Sequence, residues 1–112
     1  MSNESKKLLF DVLTACEEIK AFLAGKTRDD YLRESLLRRG VERDLEIIGE
    51  ALSQLRAIDA STFGRIPEGS RIVAMRHRLI HAYTDVNDDI VWDTARHDLP
   101  ELQRVVQEML DA

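Results

Sequence analysis

The stretch Met75-Arg76-His77-Arg78-Leu79-Ile80-His81-Ala82-Tyr83 spaces three reactive side chains as Arg-x4-His-x-Tyr. These groups suit metal-free work on a phosphodiester. Arg76 can hold a phosphate and stabilise the extra negative charge of its transition state, with Arg78 as a second phosphate contact. Histidine as a residue type titrates near neutrality, so His81 is a candidate to move the proton of a ribose 2′-hydroxyl or of a leaving 5′-oxygen. His77 is an auxiliary candidate. Tyr83 can donate a hydrogen bond, or its hydroxyl can itself be modified. Three residues of these types carry little specificity on their own.

The element that positions them reads as a helix beginning near Ser70. At about 3.6 residues per turn, the neighbours of Arg76 on its face are Ile72, Val73, Leu79 and Ile80, with Tyr83 a turn beyond. A guanidinium thus sits in an apolar stripe, where an unpaired charge is costly. A carboxylate of another helix, Glu46 or Glu50, could meet it as a structural ion pair. His81 neighbours Ala74, His77, Arg78, Thr84 and Asp85, on a wetter face, and could instead be a helix-end histidine favoured by the macrodipole. Five residues from Arg76, it is rotated by about 140° on a strict helix. Either the helix ends near His81, or the site borrows groups from a second chain.

Other chemistries fit less well. His77 and His81 have a zinc-ligand spacing, but Arg78 stands where the His-Glu-x-x-His motif has glutamate, and it would repel a cation. His97 or Asp85 would be only guesses for a third ligand, so no metal is assigned. There is no glycine-rich phosphate loop and no Gly-x-Ser-x-Gly elbow, and no cofactor is implied. Cys16 lies on an apolar stripe and reads as a buried, inert thiol.

The chain has 112 residues, enough for one domain over residues 1–112, with 44% hydrophobic and 33% charged residues. No apolar run approaches the roughly 18 residues of a membrane span. The N-terminus has no signal-peptide core, and one cysteine fits a reducing cytoplasm. A formal charge of −5 argues against coating nucleic acid non-specifically. Yet Arg65, Arg71, Arg76 and Arg78 face a single acid, Glu68, between positions 65 and 78. The chain after Tyr83 is acidic.

Helical periodicity dominates. Leu8, Leu9, Val12, Ala15, Cys16, Ile19, Phe22 and Leu23 mark a helix from about residue 4 to Ala24, with Gly25 as its stop. Thr27 caps the next segment, Asp29 and Asp30 following in its first turn. Gly40 kinks or divides the helical interval that follows. Val41, Leu45, Ile48, Leu52 and Leu55 form a second stripe reaching about Ile58. Gly49, beside it, could let another helix approach. Ser61–Gly69 reads as a loop, with Pro67 or Ser70 opening the next helix and Thr84–Val86 as a turn after it. Asn87 caps a further helix, and Asp98-Leu99-Pro100-Glu101 restarts it toward Leu110. The architecture predicted is an all-α, up-and-down bundle of four to five helices.

Val41–Ala51 (VERDLEIIGEA) and Ile72–Tyr83 (IVAMRHRLIHAY) together resemble signatures of the HepT-like branch of the HEPN superfamily. Asp89–Asp93 and Asp98–Leu102 are similar to its tail, so the likeness runs through nearly the whole chain. The resemblance implies an α-helical homodimer whose Arg-x4-His-x-Tyr motif maps onto Arg76, His81 and Tyr83. In HEPN ribonucleases the arginine and histidine of both subunits line a cleft at the interface. It further implies the toxin of a type VII toxin–antitoxin pair, with RNA as substrate. The partner would be an MNT-type nucleotidyltransferase antitoxin, in a dimer or a higher complex. Transfer of AMP to Tyr83 by this antitoxin would silence the toxin. The residue after the motif arginine is often asparagine; here it is His77, which leaves His77 as a fallback general base beside His81.

Three functions follow. The first is a metal-independent endoribonuclease toxin. The second is a non-catalytic helical module that binds the nucleotidyltransferase. The third is the substrate-recognition subunit of a two-chain nucleotidyltransferase.

Overall fold

The computed structural model describes residues 1–81 and 86–112. Tyr83, Asp85 and the turn expected from Thr84 lie outside the described residues. Seven α-helices occur among them: α1 (Asn3–Leu23), α2 (Arg28–Arg33), α3 (Ser35–Ile58), α4 (Ala60–Phe63), α5 (Gly69–His81), α6 (Asp88–Asp93) and α7 (Leu99–Asp111). A single π-helical turn, Thr94–Asp98, joins the last two. No described residue is in a strand, and no described helix is long and apolar enough to cross a membrane.

The local signals act as their chemistry requires. The Thr27 hydroxyl accepts from the Asp30 amide while the Asp30 carboxylate accepts from the Thr27 amide, a full capping box. The Asn87 side chain caps α6 through the Ile90 amide. Gly25 has φ 72°, the left-handed conformation that ends a helix at little cost to glycine. Apart from Phe22, which is 37% exposed, the two predicted stripes are the core: Leu9, Val12 and Ile19 of α1 meet Val41, Leu45, Ile48, Leu52 and Leu55 of α3, all essentially inaccessible. α1 packs on α3 and α7, and α3 on α1 and α5. Each fully buried side chain of this size contributes about 1.5–3 kcal/mol, so these shared stripes hold the bundle together.

Three boundaries differ from expectation. Gly40 neither kinks nor divides a helix; α3 runs through it from Ser35. A Cβ there would lie 3.1 Å from the Phe22 ring, so the glycine makes room for an aromatic of α1. The predicted loop from Ser61 contains the end of the short helix α4, capped by Asp59 through the Thr62 amide. Neither Pro67 nor Ser70 opens α5. It begins at Gly69, after Glu68 adopts φ 58°, and the Ile72 amide donates to the Glu68 carbonyl. At the far end α7 restarts at Leu99 with Pro100 in its first turn, as expected, and α6, the π turn and α7 follow without a gap.

Two features of α3 have measurable consequences. A Cβ on Gly49 would fall 2.4 Å from the Arg76 Cβ, so α5 lies directly on the α3 backbone there. Gly49→Ala is therefore expected to destabilise the fold by about 1–3 kcal/mol in denaturant unfolding. That loss outweighs the gain of about 1 kcal/mol that alanine brings to a helix.

Asp44 is only 4% exposed on the same helix, and its Oδ2 has no hydrogen-bond partner among the described residues. Burial, then neighbouring Glu18, push its carboxyl up from 3.8 to about 7, against a smaller opposing pull from Arg43. Its neutral form is favoured by folding. The contribution is complete at pH below 3.8 and is lost as pH rises through about 7. Asp44→Asn should therefore raise stability at pH 8, on the order of 2–4 kcal/mol, with little change at pH 4, as thermal melts at the two pH values would register.

Candidate active site

α5 is anchored by Ile72 and Leu79, both buried, with Val73 and Met75 packed beside them. This fixes the rotation of the helix and hence where its charged residues go. The Arg76 stem lies over Gly49, whose hypothetical Cβ would also be 3.1 Å from Arg76 Cγ and 3.2 Å from Cδ. The guanidinium is carried over α3 to Glu50, where Nη2 lies 2.7 Å from Oε2 in an ion pair. Of the two carboxylates expected from the sequence, Glu50 is the partner. Glu46 instead meets Arg43 at 3.3 Å.

Glu50 is held from a second side, because Gln54 Nε2 donates to its Oε1 at 2.9 Å. With Arg76 29% and Glu50 47% exposed, the pair is screened by water and orients Arg76 more than it stabilises the fold. Arg76 Nε is buried without a partner. The guanidinium therefore keeps an unsatisfied donor, a costly arrangement for a purely structural group.

Around Arg76 is an open groove of 290 Å³ built from three helices. α1 supplies Lys7 and Asp11, α3 supplies Arg43, Glu46 and Glu50, and α5 supplies Arg76 and Ile80. Ile47 and Ile80 give it an apolar lining, and Ile80 is 38% exposed. Arg76, an anionic partner that can be displaced, and an apolar wall are suited to receiving a phosphate beside a nucleoside.

His81 is elsewhere. It is the last described residue of α5, exposed, with its ring 4.5 Å from that of His77 and tilted by 45°. Arg78 is exposed as well and has no carboxylate within ion-pair distance among the described residues. The structure thus brings His77 together with His81, and Arg76 together with Glu50, but it does not bring Arg76 and His81 into one groove. Among the described residues, no three His, Cys, Asp or Glu side chains are grouped to hold a metal ion. Tyr83 and Asp85 lie outside the described residues.

Sequence reasoning missed Lys7, Asp11 and Arg43 as groove residues. Their separation from Arg76 along the chain leaves no local signal. It also missed Asp44, which had one: it is three residues after Val41 and four before Ile48, squarely on an apolar stripe. Cys16 is as expected, buried, with its thiol pushed up to about 12 chiefly by burial and also by Asp44 and Glu17.

Comparison with known proteins identifies the family. A family model described as "Ribonuclease HepT-like" matches residues 12–109. A protein of Caldanaerobacter subterraneus subsp. tengcongensis named "Putative RNase" is 35% identical over 99 residues, 88% of each chain. "Probable ribonuclease HepT" of Thermococcus cleftensis is 33% identical over 103 residues, 92% of this chain and 93% of its own. A "Putative RNase" of Methanocaldococcus jannaschii is 28% identical over 105 residues, 94% of this chain and 90% of its own. No solved structure matches. The match includes α3 and α5, which carry Glu50, Arg76 and His81, and the chain belongs to the HepT-like ribonuclease family.

Proposed function

We propose that this chain is an endoribonuclease that acts without a metal, as a homodimer, and serves as the toxin of a toxin–antitoxin pair. The observation that carries the reading is the separation of Arg76 and His81 onto different faces of α5. One chain offers a phosphate-binding arginine in one groove and a proton-transferring imidazole outside it. A two-fold axis beside α5 supplies both to a single cleft, and the half-exposed Ile80 suits a surface that a second subunit covers.

In that cleft Arg76, aided by Arg78, binds the scissile phosphate. His81, or His77 beside it, takes the proton of the 2′-hydroxyl as O2′ bonds to phosphorus. The P–O5′ bond breaks, and the imidazolium of the other subunit returns a proton to O5′. The products are a 2′,3′-cyclic phosphate and a 5′-hydroxyl. Glu50 positions Arg76 before RNA arrives and yields when phosphate takes the guanidinium.

The test is cleavage of total tRNA and an mRNA by the purified chain, with and without EDTA, beside Arg76→Ala and His81→Ala variants verified as folded dimers. Cleavage should resist EDTA and fall about 10²-fold or more in each variant. Full activity in His81→Ala overturns the mechanism, and loss of wild-type activity in EDTA returns His77 and His81 to the role of metal ligands.

Silencing by a cognate MNT-type nucleotidyltransferase is the regulatory half of the proposal. AMP groups on Tyr83 put negative charge two residues from His81, where RNA phosphate is to bind. Incubation with the partner and ATP should abolish cleavage in step with adduct on Tyr83, located by mass spectrometry. Tyr83→Phe should stay active and escape silencing.

The binding-module reading is favoured by one observation, the occupation of Arg76 by Glu50 within a single chain. It predicts a tight complex with the nucleotidyltransferase and no turnover by protein free of adduct.

A further inference from the structure

A second groove, of 410 Å³, lies between α1 and the run from the π turn into α7. It shares no lining residue with the Arg76 groove. Its volume is in the range of small-molecule sites, about 300–1,000 Å³. Its charge is opposite to that of the molecule: on a chain of net −5, it is lined by Lys20, Arg96 and Arg104 and by no carboxylate.

Arg104 is already satisfied, bonded to Glu101 and Glu108 on its own helix. Lys20 and Arg96 have no carboxylate within ion-pair distance among the described residues. The floor beneath them is apolar, built from Ile19, Leu23 and Leu99, with the Gln103 amide at the side.

The π turn forms one side of this groove, through Ala95 and Arg96. The Leu99 amide donates to the Thr94 carbonyl five residues back, which widens the helix at the point that carries Arg96. The Arg96 guanidinium lies 5.4 Å over the buried Trp92 ring, an arrangement that steadies it without neutralising it. Wide turns of this kind are rare and occur frequently at functional sites.

We propose that this groove binds a small organic anion, a phosphate or carboxylate head on a compact apolar body. Lys20 and Arg96 take the head, and Ile19, Leu23 and Leu99 cover the body. Both parts are needed. The two cations are exposed, so screening leaves a bare ion weakly held, and an uncharged body leaves them unpaired. The site is independent of the cleavage reading, because none of its residues lies in the Arg76 groove or on α5.

The experiment is a titration of the full chain followed by amide correlation spectra. The probes are 1-naphthyl phosphate, 1-naphthylacetate, 1-naphthol and inorganic phosphate. One or both naphthyl anions should move resonances of the second half of α1, the π turn and the start of α7, at least tenfold more tightly than naphthol or phosphate. Which head binds better separates a phosphate from a carboxylate ligand. Lys20→Gln with Arg96→Gln, both at exposed positions, should weaken the naphthyl anions at least tenfold, and Gln103→Trp should block them. Equal binding of naphthol reduces the groove to an apolar patch and overturns the proposal. So does absence of shifts, or indifference to the paired variant. A single-stranded RNA oligonucleotide that moves the same resonances more tightly than the naphthyl anions makes the groove a nucleic-acid track and likewise overturns it.

Discussion

At position 49 the absence of a side chain lets the stem of Arg76 lie on the backbone of α3. That contact sets how close α5 sits, which way it is rotated, and where its guanidinium arrives. With the stem pinned, Nη2 reaches Glu50 and Nε is left buried and unmatched. The same rotation buries Ile72 and Leu79 and turns His77, Arg78 and His81 outward. Close packing and reactive geometry are therefore one constraint. The helix cannot be re-seated to ease the contact without moving the arginine off its partner.

This constraint divides the charges of α5 into two kinds. Arg76 is met inside the chain. Arg78, His77 and His81 are offered to whatever lies outside it. Arg71, at the other end, is occupied by Glu68 and by Asp98 of the π turn, which ties the start of α5 to the last third of the chain. The local basic patch is thus smaller in effect than its sequence suggests, because two of its arginines are already paired.

The sequence is most legible where periodicity is strongest. The stripes of α1 and α3, the Thr27 and Asn87 caps and the Gly25 stop are local rules, and each is obeyed. The pairing of Arg76 with a glutamate of α3, and the close approach at Gly49, were readable as well, since a charge on an apolar face demands a partner and a glycine beside a stripe invites one. What failed is what depends on distant neighbours. Gly40 reads as a breaker until Phe22 is seen to need the space. The opening of α5 at Gly69 depends on Glu68 accepting φ 58°, while a Cβ on Gly69 would lie 3.1 Å from Phe63. No pattern within a few residues encodes either. The Arg76 groove is the same case: Lys7 and Asp11 come from the first turns of the chain.

The π turn has a consequence for the register of everything after it. Val91, Ala95 and Leu99 are buried at intervals of four, while Leu99, Leu102, Val106 and Met109 follow at three and four. A strict helix rotates about 100° per residue, so successive intervals of four drift around the axis. The wide turn absorbs that drift. Trp92 can then pack against Tyr31, their rings 5.7 Å apart, while Leu102 and Val106 still face the core. It acts as a phase adjuster, and a gain or loss of one residue on either side would be taken up there before it reached the packed face of α7.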